Sequence, residues 1–301
     1  MKADHRHTLP RSTWALLAML TLGWGFNWPM MKLAVNEMPV LSFRAVCIAV
    51  GAAGMFIIAR VGGHAIMPRR GQWPQLIGSA LLNVTVWNVL IAYGVLLLPA
   101  GRSVILAYTM PVWTALLSAF VLHEPLTHRR ILGISLGTAG MLLLIGSELT
   151  ALRAAPTGAL LVIGAAVAWA AGTVLIKRYP TDLPTTTFTG WQLLLGGVPL
   201  VLGAFAFDIG KVHALSVPAV VAVLYNMFVA FILCYWAWFK IVSRASAVVS
   251  SLGTLLIPVV GVISSMLVLG ERPSWHEFAA MALVLAAIAT VIIPPSGRSA
   301  H

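Results

Sequence analysis

The chain has 301 residues, of which 60% are hydrophobic and only 9% are charged. Soluble domains carry roughly 25% charged residues, so this composition excludes a soluble globule and indicates an integral membrane protein. The formal net charge of +11 comes from basic residues in short loops, which membrane topology explains better than a nucleic-acid partner does.

Apolar runs of helical length follow one another along the chain. They predict transmembrane helices at 13–33, 40–60, 75–98, 101–121, 129–146, 157–176, 185–206, 217–239, 246–269 and 275–293. Thirteen of the nineteen Lys and Arg residues fall on one side of this arrangement and four on the other. Because basic loops stay in the cytoplasm, the pattern predicts a multi-pass protein with both termini cytoplasmic.

One kinked helix occurs twice in the sequence. The fourth predicted helix contains Pro111 and the ninth contains Pro258, and a glutamate follows each proline by thirteen residues, at Glu124 and Glu271. A proline removes a backbone hydrogen bond and bends a helix, which membrane proteins tolerate beside a cavity. The two prolines are therefore candidate hinges, and the two glutamates, at helix ends, are candidates for gating or for tethering loops. Arg44 is a further candidate for gating.

The flanks of the kinked helix also repeat, since Trp24 corresponds to Trp169 and Arg44 corresponds to Gln192. We therefore predict two five-helix repeats.

The first repeat spans 13–146 and the second spans 157–293. Because five is an odd number, the second repeat enters the membrane from the opposite side. An inverted pair of this kind is the basis of alternating access. The predicted fold class is an all-α integral membrane protein with ten transmembrane helices around a central cavity.

Charged groups are missing from the predicted helix centres, because every Asp, Glu and His lies in a tail, a loop or at a helix end. This distribution argues against a proton relay and against an intramembrane enzyme. No metal site and no cofactor is predicted. The two cysteines, Cys47 and Cys234, lie in apolar runs and are interpreted as small hydrophobic residues.

Aromatic and neutral polar side chains occupy the helix centres instead. The candidate substrate-binding residues are Trp24, Asn27, Asn83, Trp87, Tyr108, Trp169, Thr173, Tyr225, Asn226 and Ser251. Buried amides and hydroxyls face either a wet cavity or a hydrogen-bond partner on another helix. A cavity with such a lining suits a small, overall neutral substrate with an aromatic or apolar part, and it suits a permanently charged ion poorly.

Two basic residues come closest to the membrane interior. We expect Lys32, at the end of the first helix, to snorkel to the interface. Arg44 lies deeper, and either a loop carboxylate such as Glu37 or the carboxylate of a substrate could pair with it.

The fifth and tenth predicted helices differ from the others because they contain small residues at four-residue spacing, Gly133 with Gly137 and Ala282 with Ala286. Small residues allow close helix contact. We expect these helices to serve packing or dimer contact, away from the transport path.

The segment WGFNWPMMK from Trp24 onward, the early Arg44 and the paired proline–glutamate helices resemble the drug/metabolite transporter superfamily, in particular its EamA-type ten-helix members. The resemblance covers about residues 13 to 293. It implies a basket-like bundle whose cavity is lined by helices one, three, four, six, eight and nine. It also implies a bacterial inner-membrane exporter of amino acids, aromatic ones included.

The sequence thus favours a secondary transporter in the lipid bilayer that exports amino acids and related metabolites, as a monomer or a weak homodimer. A multidrug or cationic-compound exporter is the alternative within the same fold, and it predicts an intramembrane carboxylate that the sequence lacks. A non-transporting membrane protein is a further alternative, and it predicts a sealed core without a cavity.

Overall fold

The computed structural model describes residues 11–151, 157–211, 213–242 and 256–292. The regular elements in these ranges are helices α1 Arg11–Glu37, α2 Val40–Val61, α3 Arg70–Leu97, α4 Ala100–Val121, α5 His128–Ala151, α6 Thr157–Arg178, α7 Thr185–Phe207, α8 Val217–Trp238, α9 Ile257–Leu269 and α10 Trp275–Ile292. The last turn of α8 continues to Val242.

Seven of the described helices, α2 to α8, are long and apolar enough to cross a membrane. The described parts of α9 and α10 are apolar but shorter. Most observed ends lie within a few residues of the predicted ones. The first half of the predicted ninth helix lies outside the described residues, so the number ten stays a prediction.

Proline shapes α4 as the sequence predicts. The helix is interrupted between its segments Ala100–Ala107 and Met110–Val121, and Pro111 lies in the first turn of the second segment. The missing N–H costs little there, because first-turn amides have no partner within the helix. Pro258 lies likewise in the first turn of α9, but the residues before Leu256 are not described, so a bend at Pro258 stays a prediction.

Two helices contain wide turns that the sequence pattern does not reveal. Leu81–Val86 in α3 and Tyr225–Leu233 in α8 are π-helical. Each segment contains an asparagine near its start, Asn83 and Asn226, and both side chains are buried. A π-turn inserts an extra residue and is frequent at functional sites, so these segments mark the helices that surround the candidate site.

The most extensively packed helix pairs join the first predicted repeat to the second: α2 with α7, α5 with α10, α3 with α6 and α1 with α9. Glycines permit the contact between α5 and α10, where Gly140 faces the Ala280 carbonyl and Leu283. A Cβ on Gly140 would lie 3.1 Å from that carbonyl oxygen. The small residues of α5 therefore serve packing between helices of one chain.

Candidate functional site

Two adjoining cavities lie between the predicted repeats. Cavity A has a volume of about 140 Å³, and cavity B has a volume of about 400 Å³. The side chains that line both are Trp24, Tyr108, Met110, Trp169 and Tyr235. These shared residues make the two cavities neighbouring parts of one space.

Most of the candidate substrate-binding residues surround this space. Trp24, Asn27, Trp87, Tyr108 and Trp169 line cavity A.

Asn83, Thr173 and Pro111 line cavity B. Tyr225 and Asn226 are not among the residues that line either cavity. Asn226 Nδ2 donates to the Ala222 carbonyl of its own helix at 2.9 Å.

Tyr225 instead ties α8 to α1, because its hydroxyl donates to the Gly23 carbonyl oxygen at 2.9 Å. Ser251 lies outside the described residues. Sequence position alone could not separate a tyrosine that bridges helices from one that lines a cavity.

Aromatic rings form the walls of the cavities. The rings of Trp87 and Trp169 have centroids 5.0 Å apart at 58°, and those of Trp24 and Tyr235 are 5.6 Å apart at 81°. Trp24 Nε1 donates to the Ala230 carbonyl at 3.2 Å, within the π-segment of α8. Rings from α1, α3, α6 and α8 thus offer broad apolar faces, and the polar edge of Trp24 is satisfied by the protein.

Several lining residues were missed by the sequence reasoning. Trp28 and Met31 line cavity A and share one face of α1 with Trp24 and Asn27, at helical spacings of three, four and seven residues. That spacing is the signal that would have found them.

Three helices not expected at the site also contribute to it. Arg44 of α2 lines cavity A, and Gln192 of α7 and Ile288 of α10 line cavity B. The expectation that the tenth helix lies away from the cavity is wrong at Ile288. The sequence equivalents Arg44 and Gln192 thus line different parts of the same space, cavity A and cavity B.

Gly172 makes room for Asn83. A Cβ on Gly172 would lie 1.3 Å from Asn83 Oδ1, which is shorter than any non-bonded contact. Gly172 is the position that corresponds to Asn27 in the first repeat. The loss of asparagine there in the second repeat therefore allows the π-segment of α3 to approach α6.

We expect Gly172→Ala to displace the Asn83 side chain and to destabilise the protein by about 1–3 kcal/mol, the usual cost of overpacking. Thermal unfolding in detergent measures this effect. Gly146→Ala in α5 is the matched control, because no described atom lies within 4 Å of its added Cβ and alanine favours a helix. Equal unfolding temperatures for the two variants would contradict the close approach.

Arg44 is 2% exposed. Its terminal nitrogen Nη2 contacts Met31 Sδ, its guanidinium lies 4.9 Å from the Phe43 ring centroid, and its Nε has no hydrogen-bond partner. The expected alternative of a pair with Glu37 is wrong, because Glu37 accepts hydrogen bonds from Ser216 N and Oγ. The expectation that aromatic and neutral polar side chains alone line the cavity is also wrong, since this guanidinium lines cavity A.

Lys32 does not snorkel as predicted. Its Nζ donates to the carbonyls of Val95 at 2.8 Å, Leu96 at 2.8 Å and Leu98 at 3.0 Å. The C-terminal carbonyls of a helix lack partners within the helix and carry partial negative charge. Lys32 therefore closes the C-terminal end of α3.

Removing this cap should be costly. We expect Lys32→Met to lower the free energy of unfolding by on the order of 3 kcal/mol, since hydrogen bonds to charged groups contribute about 1.5–3 kcal/mol and three carbonyls lose their donor. Thermal unfolding with Lys211→Met, an exposed lysine, as the control tests this. The capping role would be rejected if both variants unfolded at the same temperature.

Glu271 holds the adjacent helix end. Its carboxylate accepts from the backbone amides of Ala100 at 2.6 Å and Gly101 at 2.9 Å, which open α4. An anion is stabilised at a helix N-terminus, and Lys32 interacts electrostatically with Glu271. Lys32 and Glu271 thus clamp the turn between α3 and α4, and we call this pair the far-face clamp.

A second pair lies where α4 and α6 end, at the near face. Glu124 accepts hydrogen bonds from Lys177 and from Arg130, the latter at 2.6 Å. The hydrogen bond from Lys177 lowers the pKa of Glu124 below its usual value. Lys177 and Glu124 are the sequence equivalents of Lys32 and Glu271, and here they contact each other directly. We call them the near-face pair.

In the part of the chain that the structure describes, no group of three His, Cys, Asp or Glu residues could hold a metal ion. Both cysteines are buried and free. The groups that converge on the cavities are aromatic rings, amides, hydroxyls and one guanidinium, so the site can bind and orient a small molecule.

Comparison with known proteins gives a consistent result. The model of the EamA-like transporter family matches residues 12–146 and again residues 156–293. An uncharacterized transporter of Bacillus subtilis, YvbV, is 28% identical, with 94% of this chain and 92% of the relative covered. A probable amino-acid metabolite efflux pump of Salmonella typhimurium is 26% identical, with 91% of this chain and 92% of the relative covered.

A solved crystal structure covers 93% of this chain and 97% of its own, with a TM-score of 0.66 and 21% sequence identity. This likeness concerns the fold alone.

Proposed function

Because the chain belongs to the EamA-like transporter family, we propose that it exports amino acids, aromatic and other neutral ones, and related small metabolites by alternating access. Members of the family are transporters and not enzymes. The observation that carries the proposal is the aromatic-walled space between the predicted repeats. The name of the Salmonella relative, an amino-acid metabolite efflux pump, supports the substrate class.

The far-face clamp and the near-face pair support alternating access. In the proposal, residues 13–146 and 157–293 are inverted five-helix repeats of a ten-helix protein, with both termini cytoplasmic in a bacterial inner membrane. Lys32 and Glu271 of the far-face clamp each bind backbone groups of the turn between α3 and α4, whereas Lys177 and Glu124 of the near-face pair hydrogen-bond to each other. In the proposed cycle, each face adopts in turn the arrangement that the other face shows here. This change would open the central space to each side in turn, with Pro111 and Pro258 as bend points.

Flux through purified protein tests the proposal. Proteoliposomes loaded with labelled phenylalanine should show saturable efflux that empty liposomes lack, and an excess of other neutral amino acids should compete. If no amino acid gave saturable flux, the substrate class would be refuted.

The driving force should not be a direct proton gradient. Neither cavity is lined by Asp, Glu or His, so no described side chain there can load a proton with the substrate. We expect an imposed pH gradient to change the initial efflux rate by less than about twofold, as for a facilitator or an indirectly coupled antiporter. Strong acceleration by that gradient would contradict this expectation.

The alternative of a cationic-compound exporter is less well supported. A cation in cavity A would meet the Arg44 guanidinium and no carboxylate among the lining residues, and juxtaposed like charges repel.

A further inference from the structure

We propose that cavity A selects carboxylate monoanions and that Arg44 is the specificity-determining residue that binds the carboxylate. The inference rests on the proposed transport function and narrows it. The preferred substrates are aromatic or apolar carboxylates whose amino group is absent or acylated, ahead of zwitterionic amino acids and far ahead of amines.

The guanidinium of Arg44 is buried without the partners that a charge needs. Its Nε has no hydrogen-bond partner, and Nη2 contacts the thioether sulfur of Met31, which is a weak acceptor without charge. The Phe43 ring, 4.9 Å away, offers a cation–π contact but no countercharge. A buried charge is costly unless it is paired and hydrogen-bonded. An anion that enters cavity A would supply both the countercharge and the acceptors.

The described protein carboxylates are all engaged elsewhere. Each accepts a hydrogen bond from another residue: Glu37 from Ser216, Glu124 from Lys177, Asp182 from Arg69, Asp208 from Ser42, Glu271 from Ala100 and Glu277 from Arg102. The side chains of Asp4 and Glu148 lie outside the description. Residues 243–255, also outside it, contain no Asp or Glu.

The backbone of α2, the helix that contains Arg44, does not neutralise the positive charge of the guanidinium either. Arg44 lies one turn from the N-terminal end of α2, which begins at Val40. The N-terminal end of a helix carries partial positive charge. The local potential at this end of cavity A is therefore positive, and an anion is stabilised by the guanidinium and the helix end together.

The rest of the lining fits the remainder of such a substrate. The paired rings of Trp87 and Trp169 offer an apolar surface for an aromatic group. Asn27 Oδ1 is buried without a partner and can accept the N–H of an acylamino group. A monoanion neutralises the site, a zwitterion leaves it with its net positive charge, and an amine adds a second positive charge.

Four ligands with the same 3-phenylpropanoyl skeleton test the inference: 3-phenylpropionate and N-acetylphenylalanine as anions, phenylalanine as the zwitterion, and phenylalaninamide as the cation. Their inhibition of labelled phenylalanine efflux and their thermal stabilisation of the purified protein are measured. We expect each anion to bind at least about tenfold more tightly than the cation, because like-charge contact in a buried site is strongly unfavourable.

The matched variant is Arg44→Gln, which gives α2 the amide that Gln192 provides in α7. It should weaken anion binding about tenfold or more while phenylalaninamide binding stays or improves, since the positive charge and the guanidinium donors are removed. Arg44→Lys should retain the anion preference, and Arg60→Gln, an exposed position of α2, should change nothing.

Equal affinities of the wild type for anions and the cation would overturn the inference, as would an unchanged anion preference in Arg44→Gln. Should Arg44→Gln fail to fold, the ligand order in the wild type decides alone. A failure of the proposed transport function is distinguishable, because then phenylalanine itself shows no saturable efflux.

Discussion

Replacement of Trp169 by alanine should lower the efflux of phenylalanine at least about tenfold, a loss of about 1.4 kcal/mol in substrate binding. Trp169 lines both cavities and packs against Trp87. Its removal therefore takes away a wall of the site and frees the neighbouring ring, and aromatic pairs contribute about 0.5–1.5 kcal/mol beyond the buried area. Initial rates in proteoliposomes with equal amounts of inserted protein measure the effect.

Trp24→Ala should act in the same way, because Trp24 also lines both cavities and packs against Tyr235. Trp14→Ala is the control, since this ring is 56% exposed on the outer surface of α1 and fits an interfacial position. Equal losses of flux in all three variants would show that the rings support the fold in general and do not form the substrate site.

The second large effect is expected at the far-face clamp. Glu271→Ala removes the acceptor for the Ala100 and Gly101 amides, and each hydrogen bond to a charged group contributes about 1.5–3 kcal/mol. The far face should therefore open in a large fraction of molecules. A cysteine at Val262, which is 1% exposed and packs against Gly101, reports this opening through its labelling rate with a membrane-impermeant maleimide.

The labelling rate of Val262→Cys should rise at least about tenfold in the Glu271→Ala background, as a shift of about 1.4 kcal/mol between conformations already gives that factor. Glu271→Gln keeps one acceptor oxygen and should give a smaller rise. Asp182→Ala, which removes an exposed carboxylate paired with Arg69, is the control. An unchanged labelling rate in Glu271→Ala would contradict a role of this carboxylate in closing the far face.

Much of the fold could be predicted from the sequence, because a bilayer requires long apolar helices and leaves short basic loops between them. The aromatic lining could also be predicted in part, since Trp24, Trp87 and Trp169 lie too far from the helix ends to belong to the interfacial belts. The break in α4 followed from Pro111, which no helix interior accommodates without a lost hydrogen bond.

The remaining features depend on packing between helices distant in the sequence. The π-segments around Asn83 and Asn226 carry no composition that distinguishes them from α-helix. Lys32 caps α3 because the end of α1 meets the turn before Pro99. The sequence could not reveal this contact, since a lysine that snorkels to the interface has the same sequence pattern. The sequence left open whether Arg44 pairs with a loop carboxylate or with a substrate, because the surrounding side chains decide this and they come from other helices.

Substrate protection at Thr173 tests most directly that the space between the predicted repeats is the substrate route. Thr173 lines cavity B, and both native cysteines are buried, so Thr173→Cys should react with a small water-soluble maleimide above a low background. N-acetylphenylalanine and phenylalanine should slow this labelling in the concentration range in which they compete for efflux. Leu194→Cys, at a position on α7 that is 43% exposed on the outer surface, should show no such protection. An unreactive Thr173→Cys, or labelling that no transported compound slows, would contradict the account.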